Sequence, residues 1–321
     1  MYNQPEAILE QYDLKINQIT KGRGAYICDT DQGVKLLVPF RGSKERARFL
    51  MEVLQRLNEE GYPVEQITCT GDGEVLAEDD SGTRYWLKTY VAGSECSTAR
   101  EGDMVKSVRQ LARFHVTIEK CSFSIPDFMA TGHNDIKQTY ERHYRELLKL
   151  KNYIKGRKSK NAFESKFHEQ YPHFIADAGR ALVFLGEQQG VKMILCHGDV
   201  NQHNVVRTPD GFRMIHFENM CRNPAVADLA NFLRKLLEKN NWNRELGMRL
   251  IGEYREERAL EKEDLNHLYL MLLFPEKFWK IANHYANSHK VLAGRDVEKL
   301  DKVIAQESAR SIFLEKLFSI V

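Results

Sequence analysis

Apolar positions along the chain fall into two regimes. From about residue 14 to 92 they come as short runs cut by polar, glycine-bearing turns. Ala25 to Cys28 and Val34 to Phe40 are β-prone, with Asp29, Asp31 and Gly33 in the turn between them. Gly73 to Ala77 and Thr83 to Val91 flank Asp79-Asp80-Ser81-Gly82, which predicts a second hairpin. Between these pairs Phe49, Leu50, Val53, Leu54 and Leu57 recur at helical spacing. Ser43 is placed to cap that helix, and Gly61-Tyr62-Pro63 to end it. From about residue 98 the period turns helical, with Met104, Val108, Leu111, His115 and Ile118 on one face. A charged helical stretch runs over roughly 134–188 with a break near Gly156, and helices return at 225–239, 243–257, 262–286 and 296–320. A hairpin at 205–217 interrupts them. The pattern predicts an α+β protein of two lobes: a small lobe, 1–92, of antiparallel sheet plus one helix, and a helical lobe, 93–321, that carries the hairpin. A hinge is expected near Tyr90 to Gly93.

Composition narrows the class. With 42% hydrophobic and 29% charged residues in 321, the chain can bury a real core. A net charge of +2 gives no global pull toward nucleic acid or membrane. The six cysteines, Cys28, Cys69, Cys96, Cys121, Cys196 and Cys221, form no Cys-x-x-Cys pair, which disfavours a zinc ribbon or a disulfide framework. The first residues are polar and do not read as a signal peptide. The most apolar run, Leu268 to Phe274, is too short to span a bilayer.

The chemistry concentrates in His197-Gly198-Asp199-Val200-Asn201-Gln202-His203-Asn204-Val205 and in Ile215-His216-Phe217-Glu218. Pro209-Asp210-Gly211 lies between two short apolar runs and predicts a tight turn. A hairpin returns its ends to one place, so Asp199, Asn204 and His216 should converge. Phosphoryl transfer needs an Asp to orient a hydroxyl, an Asn to hold a metal, and a second acid after the hairpin to hold the metal on the phosphates. The first two are present, whereas the third position carries His216.

The two-lobe layout with this loop resembles the aminoglycoside-phosphotransferase branch of the protein-kinase-like fold, and more closely the CotS family of spore coat proteins. The residues behind the resemblance are Leu195 to Val205, Asp228-Leu229-Ala230-Asn231-Phe232-Leu233-Arg234-Lys235, Phe274 to Asn287, and Val91-Ala92-Gly93-Ser94-Glu95-Cys96. It implies a cleft for ATP and magnesium, with Asp199 catalytic and Asn204 on the metal. It also implies a place in the endospore coat, or in the mother cell that builds it, among other coat proteins.

Two departures weaken the expected site. His216 stands where the family pattern has a metal-binding Asp, and imidazole is a poor ligand for magnesium. Glu218, two residues on, would face the same side of an extended strand and could restore a carboxylate, or could pair with a nearby cation. The phosphate-binding Lys of active relatives aligns with Val38, while Lys35 points to the opposite face of a regular strand. The acid that partners that Lys would be Glu45 or Glu52. Tyr90 and Val91 at the hinge, Val38, and Arg23 within Lys21-Gly22-Arg23-Gly24 are the remaining nucleotide-facing candidates. His197 is expected to order its loop. His203 and His216 with Asp199 offer a less expected metal set. The basic run of Lys149, Lys151, Lys155, Arg157, Lys158, Lys160 and Lys166 has few aromatics and reads as a solvated face, with an acidic coat partner or anionic polymer as the alternative.

Each lost charge costs about a hundredfold to a thousandfold in phosphoryl transfer. The sequence therefore favours a coat-structure or assembly component with a degenerate site and weak binding of ATP and magnesium. The rival is a phosphotransferase acting on a small hydroxyl-bearing molecule or a coat glycan.

Overall fold

The computed structural model describes residues 5–22, 24–130, 136–187, 191–288 and 294–321. A short helix, α1 (Pro5–Leu9), precedes the strands β1 (Ile16–Lys21), β2 (Tyr26–Thr30) and β3 (Gly33–Pro39). Helix α2 (Lys44–Glu59) follows, then β4 (Ile67–Thr68), β5 (Ala77–Glu78) and β6 (Arg84–Thr89). The strands form one antiparallel sheet in the order β1-β2-β3-β6-β4, with β5 also on β6.

Strand alternation gives this sheet two different faces. Leu37 lies opposite Leu87, and with Cys28 and Tyr85 they pack beneath Ile8, Leu9 and Tyr12. On the other face Val38 is opposite Trp86, and Leu36 is opposite Lys88. Trp86 stacks on Phe40 at 4.5 Å and joins Leu50, Val53 and Leu54 of α2 in the main core. Ser43 caps α2 as the sequence predicts, accepting from the amide of Arg46 at 3.2 Å. Gly61, at φ +79°, lets the chain reverse so that the Tyr62 amide reaches the Leu57 carbonyl at 2.9 Å.

Past β7 (Ser94–Glu95) the chain is mainly helical: α3 (Glu101–Lys120), α4 (Asp127–Ala130), α5 (Ile136–Lys155) and α6 (Ala162–Glu187). Strand β8 (Met193–Cys196), the hairpin of β9 (Val205–Thr208) and β10 (Gly211–Met214), a 3-10 turn (Phe217–Asn219) and β11 (Cys221–Pro224) come next. The chain ends in α7 (Ala225–Lys239), α8 (Arg244–Glu257), α9 (Lys262–Leu273), α10 (Glu276–Asn287) and α11 (Gly294–Phe318). The main core is continuous from the sheet into these helices: Trp86 and Leu50 belong to the same buried cluster as Phe114, Phe217 and Leu229. Among the described residues no helix is long and apolar enough to cross a membrane.

Two expected elements change. The single helix predicted over 262–286 is two helices, because Pro275 cannot continue α9 and instead sits just before α10. The strand expected over Gly73 to Ala77 shrinks to Ala77–Glu78, because Gly73, at φ +80°, belongs to a turn closed by its amide on the Thr70 carbonyl at 2.9 Å.

At the expected hinge, Gly93 passes so close to β9 that a Cβ there would lie 2.4 Å from the Arg207 carbonyl oxygen. Gly102 in α3 has nothing within 4 Å of such an atom. Gly93→Ala should therefore cost about 1–3 kcal/mol of stability. Gly102→Ala should add up to about 1 kcal/mol through helix propensity. Urea denaturation of the two variants beside the parent checks both signs.

Candidate functional site

Strand β8 delivers the chain into the loop 197–204, and a carboxylate on α7 fixes the loop's start. Asp228 accepts from the amide of His197 at 2.6 Å and from that of Gly198 at 3.0 Å. The same carboxylate lies 3.3 Å from His115 Nε2, whose Nδ1 is 2.6 Å from the Tyr254 hydroxyl. Burial would raise the Asp228 pKa, but His115, His197 and the backbone N–H groups hold it below the usual carboxylate range. His197 is fully buried, and burial lowers its pKa. Its Nε2 donates to the Ile215 carbonyl at 2.9 Å and its Nδ1 accepts from the Asp199 amide at 3.3 Å. The ring thus ties the loop of Asp199 to the segment that carries His216. Gly198, at φ +82°, has room for no side chain, since a Cβ would lie 2.1 Å from the Asn219 carbonyl oxygen.

Asp199 and Asn204 are in contact. The Asn204 amide donates to the Asp199 carbonyl at 2.8 Å and to Asp199 Oδ2 at 3.3 Å. The Asp199 side chain is 42% exposed, open enough to meet a hydroxyl from solvent. Its Oδ1 is 3.2 Å from Lys235 Nζ, which also donates to the Val200 carbonyl at 3.2 Å. Burial lowers the Lys235 pKa, with Asp199 opposing. Lys235 lies within the fingerprint quoted above, but sequence alone does not bring it to Asp199. The other end of the hairpin returns as expected: the Ile215 amide meets the Asn204 carbonyl at 3.0 Å.

His216 has a left-handed backbone, φ +67° and ψ +59°, at the start of the 3-10 turn. This conformation is uncommon for a non-glycine residue, although histidine is enriched in it. It replaces the extended strand expected through Glu218. Two backbone bonds hold the turn, because Glu65 Oε1 accepts from the amides of His216 at 3.0 Å and Phe217 at 3.2 Å. Arg46 of α2 clamps it from the far side, donating to the carbonyls of Glu218 at 3.2 Å and Met220 at 2.6 Å.

The centre of this arrangement is Lys88, which is wholly buried. Its ammonium bonds Glu65 Oε1 at 2.9 Å and Glu218 Oε1, and lies 3.3 Å from His216 Nδ1. Burial would lower the Lys88 pKa, but the two carboxylates push it up. Burial would raise the Glu218 pKa, but Lys88 and His216 hold it far below the usual carboxylate range. Lys88 lies on the same face of the sheet as Val38, one strand over and two residues past Val38's partner Trp86. A cation is thus present on the cleft face of the sheet, on β6 and not on β3. Its partner acid is Glu65, in the segment before β4. Glu45 and Glu52 both lie on exposed positions of α2.

The other candidates separate. Lys35 pairs with Cys28 and Thr89 on the face away from Val38. Tyr90 leaves the end of β6 with its amide on the Val34 carbonyl at 3.1 Å, and Val91 follows it. Arg23 lies outside the described residues. His203 is drawn away from His216, with Nδ1 2.5 Å from Glu95 Oε2 and Nε2 2.8 Å from Gln202. Among the described residues, Asp199, His203 and His216 do not form a group close enough to share a metal ion.

The metal donors can be tested on the same geometry. Asn204 uses its amide nitrogen on Asp199, which leaves Oδ1 for a cation. Glu218 is already neutralised by Lys88, and His216 offers only a ring nitrogen beside that ammonium. This set fits a divalent ion poorly, since the one carboxylate among Asn204, His216 and Glu218 is already bonded to the Lys88 ammonium.

Comparisons with known proteins agree with the two-lobed, kinase-like α+β fold. The profile of a family described as "Spore coat putative kinase YutH" matches residues 5–317. Among solved structures, an aminoglycoside phosphotransferase from Alicyclobacillus acidocaldarius superposes with a TM-score of 0.86 at 20% identity, over 99% of this chain and 96% of that one. Spectinomycin phosphotransferase APH(9)-Ia, in complex with ADP and spectinomycin, gives 0.66 at 15% identity over 95% and 96%. Amicoumacin kinase hAmiN, in complex with AMP-PNP, Ca2+ and Ami, gives 0.66 at 13% identity over 97% and 94%. No curated protein matched the chain by sequence.

Removing the central cation should be costly. Lys88→Met leaves Glu65 and Glu218 buried without a counter-charge and should lose about 3–5 kcal/mol at neutral pH. Glu218 is depressed below its ordinary 4.5, so its contribution is present above that pH and is lost as pH falls through the folded value. Lys88 is raised above its ordinary 10.5, so its contribution is present below that pH and is lost as pH rises through the folded value. In the variant the carboxylates can take up protons more readily. The stability gap between parent and variant should therefore narrow as pH falls from about 7 to about 4, read from denaturation midpoints across that range. A constant gap would show that the variant loses packing rather than charge balance.

Proposed function

The chain belongs to the family described as "Spore coat putative kinase YutH", and from that premise we propose that it serves in coat structure or assembly. In this reading its phosphotransfer site is too altered to hold magnesium-ATP tightly. The protein is made in the mother cell and works among other coat proteins. The observation that carries the reading is the ammonium of Lys88 between Glu65, Glu218 and His216. For Glu218 to bind a metal it would have to release Lys88 and leave a buried ammonium short of a partner. Lys88 would then keep Glu65 alone, and the metal would have to supply the cost of the lost contact. The hydroxyl-orienting half of the site is kept, with Asp199 exposed and Asn204 beside it. The metal-holding half is not.

One observation favours a second reading, that of an enzyme. Lys88 puts a cation on the face where Val38 has none, so it could serve the phosphates if Glu218 swung away toward a metal. In that case Asp199 would orient the hydroxyl of a small acceptor and Asn204 would hold the ion. The similar structures solved in complex with ADP or AMP-PNP support nucleotide binding in this reading.

Thermal-shift titration with ATP, with and without magnesium, separates the two, because a ligand of the native state raises apparent stability by mass action. The parent should show little shift at micromolar ATP and little dependence on magnesium. Returning a lysine to β3 and an acid to the loop, with Val38→Lys and His216→Asp together, should raise magnesium-dependent binding. The gain should exceed the sum of the single changes, since both act on one triphosphate. A large magnesium-dependent shift in the parent, with Asp199-dependent hydrolysis of ATP, would replace the coat-component reading with the enzyme.

A further inference from the structure

The fold divides the basic run that begins at Lys149. Lys166 pairs with Asp301, Arg157 with Glu164 at 3.1 Å, and Lys151 lies over the Tyr171 ring at 5.8 Å. Lys149 is exposed and, among the described residues, meets no carboxylate. Arg142 and Arg145, one and two turns earlier on α5, are exposed and unpaired in the same way. Their spacing puts the three cations on one stripe of the helix. Beside that stripe a groove runs between α5 and α10 and encloses about 400 Å³. Its lined stretches, 146–153 and 279–287, each cover about two helical turns, or about 12 Å. Leu147, Leu150 and Ala282 line it and are buried, and Ala286 is half-buried, so the apolar surface is recessed. Against the three cations the lining holds one carboxylate, Glu146, which accepts the Trp279 indole N–H at 2.7 Å.

Shape and charge together decide the class of partner. The cations call for an acidic one. A flat bilayer would meet them but could not bring its apolar region onto a recessed lining. Nucleic acid would find the aromatic rings of the groove already engaged, unlike the open platforms on which bases stack. Trp279 stacks on His143 with ring centroids 3.3 Å apart, and the Tyr153 hydroxyl accepts from Arg157 at 2.6 Å. A polypeptide segment with apolar side chains on one face and carboxylates along its flank meets both features. Its apolar groups can enter the groove while its acids face the stripe.

We propose that the groove between α5 and α10 docks an acidic amphipathic segment of a partner protein, whose carboxylates pair with Arg142, Arg145 and Lys149. The proposal goes beyond the coat reading and does not depend on whether phosphate is ever transferred. The test uses the full chain without nucleotide. A random-peptide display library is selected on the parent and, in parallel, on the double variant Arg145→Glu with Lys149→Glu. Peptides enriched on the parent alone should carry Asp or Glu beside apolar residues three or four apart. The most enriched peptide is then synthesised, labelled and titrated by fluorescence anisotropy, with polyglutamate and duplex DNA as competitors. The double variant should weaken its binding by about tenfold or more, because like charges then face each other. Ala286→Trp, which fills the groove, should weaken it as well and leave the cations in place. Circular dichroism melts confirm folding, and either variant carries the test if the other does not fold. Three results would overturn the proposal: no acidic peptide enriched on the parent alone, peptide binding indifferent to the substitutions, or polyglutamate or DNA displacing the peptide at equal or lower concentration than the unlabelled peptide itself. Since no nucleotide is present, a failed ATP titration leaves this outcome untouched.

Discussion

The site is organised by the need to bury one ammonium ion. Lys88 projects from near the end of β6 into a region from which water is excluded. Such a charge persists only when opposite charges and hydrogen bonds surround it. Glu65 and Glu218 meet that need from two different parts of the chain. Because Glu65 also accepts from the amides of His216 and Phe217, fixing the ammonium fixes the turn. Phe217 is then seated against Phe114 and the ring of His197. Through His197 the constraint passes to the Asp199 loop, and through Asp228 to α7.

The same arrangement sets the electrostatics of any chemistry. A phosphotransfer site must accept a metal and a triphosphate, so it needs carboxylates that are free when empty. Here the carboxylate near His216 already pairs with Lys88, which it shares with Glu65. The scaffold around Asp199 is held by different forces, namely backbone amides on Asp228, the His197 bridge, and the hairpin closing at Asn204 and Ile215. These bonds satisfy buried backbone groups and are needed for folding whether or not a metal binds. Loop geometry therefore does not depend on which groups would hold a metal. The groove between α5 and α10 draws on yet another set of groups, so its binding properties are separable from both.

Much of the architecture could be read from local pattern. Period-two runs and glycine turns announced the sheet, helical spacing announced α2, α3, α7 and α8, and Pro-Asp-Gly announced the hairpin. These signals are legible because hydrogen bonding within a helix or hairpin depends on neighbouring residues. Pro275 was visible too, but an apolar period running through it masked the boundary between α9 and α10. The motif residues Asp199 and Asn204 were legible for the same reason, since a tight turn obliges the ends of a hairpin to meet.

By itself, then, the sequence determined the two regimes of secondary structure, the hairpin with its Asp and Asn, and the absence of an acid at 216 and of a lysine at 38. It also held one unused signal, the lysine in Tyr85-Trp86-Leu87-Lys88-Thr89, which interrupts an apolar strand on the face of Trp86. What that lysine meets was decided only in three dimensions. Glu65 is 23 residues from it and Glu218 is 130, and neither has any local pattern that marks it as a partner. The left-handed turn at His216, the Arg46 clamp, and Lys235 on Asp199 arise in the same way. Each depends on which groups share a low-dielectric space, and that is fixed by packing between distant segments rather than by the order of residues along the chain.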